Sequence, residues 1–275
     1  MASPHLKLVE KPRLTNATML LALAGWMDGG LVSTGTVKGF MDGRSLVEVG
    51  QIDPDPFYIY NFPGSMEVAA LFRPEVKMDD GMILEFDVPT NTIHADPAAN
   101  LVFFIGKEPN LRWQGFADAI FEVANSLGVS RIIFMGSFGG TVPHTREPRM
   151  FASVSHPHLR TLLKEHGLRF SDYEGPSSFA TMLLSQSAAR GIEMFSLVSE
   201  IPGYLQGLNP LSIEAVTRRL SRILNVQVDM DMLRRASNDW EVQVSHAVEK
   251  DQELADTVRK LEEQYDNELI GKGEA

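Results

Sequence analysis

None of the 275 residues is cysteine, which excludes disulfides, thiolate nucleophiles and Cys-ligated zinc. No run approaches the about 18 apolar residues needed to span a bilayer. Residues 1–16 alternate charge with proline where a signal peptide would be apolar, so a soluble, cytoplasmic protein is expected, with no membrane partner. Positive charge is scarce: 25 Lys and Arg against 36 Asp and Glu leave a net charge of -11, which argues against a nucleic-acid binder. Also missing are G-x-G-x-x-G, a P-loop ending, a G-x-S-x-G elbow and H-E-x-x-H. His156 and His158 lack a third ligand for a catalytic zinc. No metal, cofactor or catalytic residue is therefore assigned.

What is present reads as alternating strands and helices. Ala17–Ala24, Ser45–Ile52, Met82–Val88, Asn100–Ile105, Arg131–Met135 and Ile192–Val198 are apolar or alternating runs expected as strands, with Phe57–Tyr60 as a further short one. Helices are expected over 31–41, 112–127, 157–166, from Ser177 or Ser178 to Arg190, over 211–224 and from Asp229 onward. Ser178 or its neighbour supplies a cap, and Gly128 and Gly191 supply stops. The expected fold is a three-layer α/β sandwich with a mostly parallel sheet over 1–210, followed by a helical extension over 211–275. That extension is acidic: 13 acidic and 6 basic residues from Asp229 onward carry -7 of the total -11. Trp240, Val244, Ala247, Leu254, Val258, Leu261 and Tyr265 form a seam for packing either on the core or on a second copy.

Function is expected where loops leave the C-terminal ends of parallel strands. Gly25–Gly30, with Trp26 and Asp28, is either a tight turn with a capping Asp or a backbone anion site. Gly106–Trp113 carries Glu108, Asn110, Arg112 and Trp113; Glu108 and Arg112 either pair with each other or bind a ligand. Gly136–Arg146 places His144 and Arg146 where a general base and an anion clamp could act. Tyr173 and Glu174 lie before the helix that Ser178 caps, and Tyr204 and Asn209 follow the last strand.

In this order, Ala24-Gly25-Trp26-Met27-Asp28, Gly106-Lys107-Glu108-Pro109-Asn110-Leu111-Arg112-Trp113, Pro143-His144-Thr145-Arg146, Tyr173-Glu174-Gly175-Pro176 and Pro202-Gly203-Tyr204-Leu205-Gln206-Gly207 resemble the proteasome assembly chaperone 2 family. The similarity runs from about Met19 to Leu269. It implies a fold like that of purine nucleoside phosphorylases and related hydrolases, and a homo-oligomer with a trimer preferred. It also implies non-catalytic, assembly-chaperone-type binding, to proteasome subunits where the organism has them. Several proteasome-binding relatives end in a hydrophobic residue, tyrosine and one further residue. This chain reads Gly271-Lys272-Gly273-Glu274-Ala275, so that docking mode is not expected. The alternative is an enzyme or small-ligand binder for an anionic or nucleoside-like compound, using Glu108, Arg112, His144, Arg146 and Tyr204.

Overall fold

A computed structural model describes residues 3–271, so the chain ending compared above lies, from residue 272 onward, outside the described residues. The strands at the centre are those whose side chains are apolar on both faces. In β2 (Ala17–Ala24), Met19, Leu21 and Leu23 point to one layer while Leu20 and Ala22 point to the other, and all are buried. A strand covered on both sides belongs inside a parallel sheet. Accordingly β2 lies between β7 (Leu101–Lys107) and β8 (Val129–Gly140), and β8 pairs with β11 (Glu193–Pro202), all four strands parallel.

The nine-stranded sheet widens from this parallel centre through antiparallel pairs, apart from the parallel pair β9–β10 at one edge. β6 (Thr92–Asp96), β3 (Val47–Ile52) and β1 (Leu6–Leu8) extend beyond β7, while β9 (Met150–Ala152) and β10 (Arg169–Phe170) extend beyond β11. One face is covered by α3 (Trp113–Ser126) and α5 (Phe179–Ser187), which bring Phe116, Ile120, Phe121, Phe179 and Leu183 onto Phe104, Ile132 and Phe134. The other is covered by α1 (Val32–Met41), α4 (Leu159–Glu165) and α6 (Pro210–Leu224). These contribute Val37, Phe40, Leu163, Val216 and Leu220 against Phe103, Ile133, Phe195 and Leu197. The result is a three-layer α/β sandwich.

The C-terminal segment forms two helices rather than one continuous seam: α7 (Asp231–Val248) and α8 (Gln252–Gly271) break at Asp251, whose side chain accepts from the Glu253 and Leu254 amides. Val248, Val258 and Tyr265 are buried within this chain, whereas Ala247 is exposed.

Three sequence expectations need correction. Phe57–Tyr60 is not a strand: Phe57 is held edge-on against Phe116 at 4.9 Å, and its carbonyl accepts the Asn110 and Leu111 amides instead of a ladder bond. Gly136–Gly140 is not loop but the end of β8, paired residue for residue with Gly136↔Val198 through Gly140↔Pro202. Met82–Asp87 is a strand (β5), yet it lies outside the main sheet, in a hairpin with β4 (Glu75–Asp79).

That hairpin, with the short helix α2 (Met66–Ala70), forms an arm. Asp80 and Gly81 both have positive φ, as a two-residue hairpin loop of the primed type requires. Val76 pairs with Phe86 and Met78 with Ile83, while Lys77 pairs with Glu85 at 3.3 Å between them. Such alternation is that of a half-buried hairpin. Every residue of both strands is nonetheless exposed, and more than half of the exposed large apolar side chains among the described residues fall between Tyr60 and Phe86.

Candidate functional site

Four loops meet at the C-terminal edge of the parallel strands, and hydrogen bonds from candidate residues sew them together. After β2, Asp28 is buried and accepts from Thr34 N at 3.0 Å and Thr34 Oγ1 at 2.8 Å, so it caps the first turn of α1. Burial raises its pKa, and the Thr34 bonds partly offset that rise. The first loop joins the last at Gly30. This residue has φ +65°, accepts the Asn209 amide with its carbonyl at 2.9 Å, and leaves only 2.7 Å between a Cβ in its place and the Asn209 Cβ. Glycine is required there on both counts. Asn209 is itself the cap of α6, accepting from Ser212 N at 2.9 Å.

After β7, Glu108 does not pair with Arg112. Its Oε1 accepts Phe179 N at 2.7 Å, closing the N-terminus of α5 beside the Ser178 cap. Arg112 takes a left-handed backbone at the start of α3 and its exposed guanidinium has no partner among the described residues. Asn110 Oδ1 accepts Ile59 N at 3.3 Å, and Trp113 donates Nε1–H to the Pro109 carbonyl at 2.7 Å while packing on Phe179.

His144 and Arg146 are consumed by the C-terminal helices. Tyr204 Oη accepts the His144 amide at 2.9 Å and lies 2.7 Å from Nδ1, and Nε2 lies 3.1 Å from Ser245 Oγ on α7. Both ring nitrogens of His144 therefore face a hydroxyl, and each hydroxyl can donate or accept. Burial pushes the Tyr204 phenol up to about 12 and holds the His144 pKa down, the latter opposed by the Glu262 charge. Arg146 grips Asp266 of α8 with Nε and one terminal nitrogen, each at 2.9 Å, with Glu262 at 3.5 Å.

Beneath this contact lies a set of residues that sequence reasoning passed over. Glu200 of β11 is buried, accepts Thr141 N at 2.6 Å and Val142 N at 3.1 Å, and pairs with buried Arg149 at 3.0 Å. Arg149 in turn sits 4.5 Å over the Tyr265 ring and 3.4 Å from Glu268. A glutamate inside the apolar run of β11 was the available signal for Glu200. Nothing local marks Arg149 or its partners on α8.

The depressed His144 pKa makes α7 docking sensitive to acid. Because the folded state resists protonation relative to an unfolded histidine near about 6.5, stability is fully present above that pH and declines as pH falls below it. Denaturant midpoints at pH 7.5 and 5.5 are expected to differ less in His144→Gln than in the parent. An unchanged difference would contradict the assignment.

An apolar-walled cavity of about 550 Å³ lies elsewhere, between α5 and the sheet. Of the candidate residues, only Trp26 and Tyr173 line it. Glu174 is exposed beside it, and the Glu108, Arg112, His144 and Arg146 side chains do not converge on it. Among the described residues no group of three or more His, Asp or Glu could hold a metal, and no helix is long and apolar enough to cross a membrane.

The fold is shared with solved structures. A protein of unknown function from Corynebacterium glutamicum matches with TM-score 0.83 at 20% identity, over 97% of this chain and 98% of that chain. A proteasome-assembly chaperone homologue from Mycobacterium tuberculosis gives 0.75 at 26% identity, over 88% and 99%. An archaeal proteasome activator from Pyrococcus furiosus gives 0.66 at 18% identity, over 88% and 97%, a likeness of fold. No curated protein matches this sequence. The PAC2 family model matches residues 22–248, most of the chain and all four loops of the sheet edge, and the chain belongs to the PAC2 family.

Proposed function

We propose that this chain is a non-catalytic, self-associating protein of the assembly-chaperone type, acting in the cytoplasm as a homo-oligomer, with a trimer as the expected assembly. The observation that carries this reading is the arm from Tyr60 to Asp87: an amphipathic hairpin and helix whose apolar face has no core to cover it. Monomeric proteins rarely expose contiguous apolar patches above a few hundred Å², and an isolated two-stranded hairpin is marginal in water.

The polar loops favour the same reading. Glu108, Asp28, Asn209, His144 and Arg146 are each satisfied by caps or by contacts to α7 and α8, which leaves no free acid, base and anion clamp facing one site. Residues 1–210 with α6 then act as scaffold, and α7 and α8 as an extension that closes over the loop from Thr141 to Arg149. Exposed Trp26, Arg112, Tyr173 and Glu174 are contact residues of the loop edge. Kinship with a mycobacterial proteasome-assembly chaperone homologue supports proteasome subunits as partners where the source organism has them. Light scattering over a range of concentrations tests self-association. A mass at an integer multiple above one chain is expected, and a monomer at every concentration would contradict it.

A further inference from the structure

The cavity between α5 and the sheet is not explained by self-association. Its walls are Phe134 and Phe138 of β8, Phe151 of β9, Val198 of β11 and Leu184 of α5, with Trp26 and Tyr173 at the loops. At about 550 Å³ it lies within the range of small-molecule sites, roughly 300–1,000 Å³. Phe138 and Phe151 stand 5.7 Å apart, and Trp26 and Tyr173 are 65% and 67% exposed, loop aromatics with face left over for a ligand. The Tyr173 hydroxyl donates to the Pro176 carbonyl at 3.1 Å, which fixes that ring within its loop.

The charge of the lining decides what such a ligand carries. No lysine, arginine or histidine lines the cavity; its one carboxylate is that of Asp172, which has no partner among the described residues. The adjoining helix end would ordinarily attract an anion. Here the Glu108 carboxylate and the Ser178 hydroxyl already take the Phe179 and Thr181 amides. Aromatic faces attract cations, and the chain as a whole carries -11.

We infer that this cavity binds a small aromatic amine as its cation, the ring between the aromatic walls and the ammonium at Asp172. An anionic ligand does not suit this cavity, whose lining offers no cation. This site is independent of the arm, and its failure would leave the self-association reading untouched.

Calorimetric titration of the full chain with phenethylamine, 2-phenylethanol and 3-phenylpropanoate tests the inference, because the three probes differ mainly in head-group charge. The amine is expected to bind about tenfold more tightly than the alcohol, and the carboxylate more weakly than both. Asp172→Asn should remove most of the preference for amine over alcohol, and Trp26→Ala should weaken both; each residue is exposed, so neither change disturbs the core. Any other ranking of the probes, no measurable amine binding, or an amine affinity unchanged in both variants overturns the assignment.

Discussion

A variant carrying Met66→Gln, Leu71→Gln, Met82→Thr and Phe86→Thr is expected to run as a monomer at concentrations where the parent is assembled, with thermal stability per chain preserved. The four side chains are 60–82% exposed, so their removal opens no cavity in the sandwich. Glutamine suits a helix and threonine a strand, which keeps the arm's local structure. In the assembly each apolar side chain contributes about 1.5–3 kcal/mol when fully buried. Four of them together rival the roughly 4–15 kcal/mol lost to immobilisation on association. The dissociation constant should therefore rise by at least about 100-fold, the equivalent of roughly 2.8 kcal/mol. Sedimentation of parent and variant at matched concentrations reads this directly, and equal masses would place the contact away from the arm.

Arg149→Met is expected to cost about 3–5 kcal/mol of unfolding free energy. The substitution leaves Glu200 buried without its cation, and an uncompensated buried charge is what makes such a pair costly to break. Glu200 would keep only the Thr141 and Val142 amides and the Thr141 hydroxyl. The outer partner, Glu268, is nearly half exposed, so Glu268→Gln should cost under about 1 kcal/mol. Urea melts of both variants separate a buried clamp from a surface ion pair. An Arg149→Met midpoint equal to that of Glu268→Gln would contradict this account.

The parallel centre of the fold was legible because its strands are apolar on both faces, as in Ala17–Ala24 and Leu101–Ile105. Helix α3 was legible from its stripe of Phe116, Ile120 and Ala124. The antiparallel flank was legible only in part: Ser45–Ile52 alternates and contains β3, but in β6, Thr92, His94 and Asp96 interrupt the apolar pattern, and pairing with β7 supplies the order that local sequence lacks. In the arm the Asp80-Gly81 turn was a usable hairpin signal. Its exposure was invisible, since Val76, Met78 and Phe86 alternate just as side chains facing a core do.

The candidate site divides in the same way. Loops at strand ends and their polar residues could be read locally, but the groups that occupy them could not. Glu108 finds its donor 71 residues away at Phe179, His144 finds Ser245 across 101 residues, and Arg146 finds Asp266 across 120. An arginine and a histidine on a glycine-rich loop suggest chemistry until the helices that engage them are seen. The cavity was hidden for the related reason that its walls are ordinary Phe, Val and Leu, drawn from three strands and a helix.

Amide hydrogen exchange of residues 60–88, followed below and above the concentration at which the chain assembles, tests the central claim most directly. The account predicts that the β4–β5 amides become protected as assembly proceeds and stay unprotected in the four-residue arm variant. Assembly accompanied by no change in exchange across this segment, with protection arising elsewhere, would contradict it.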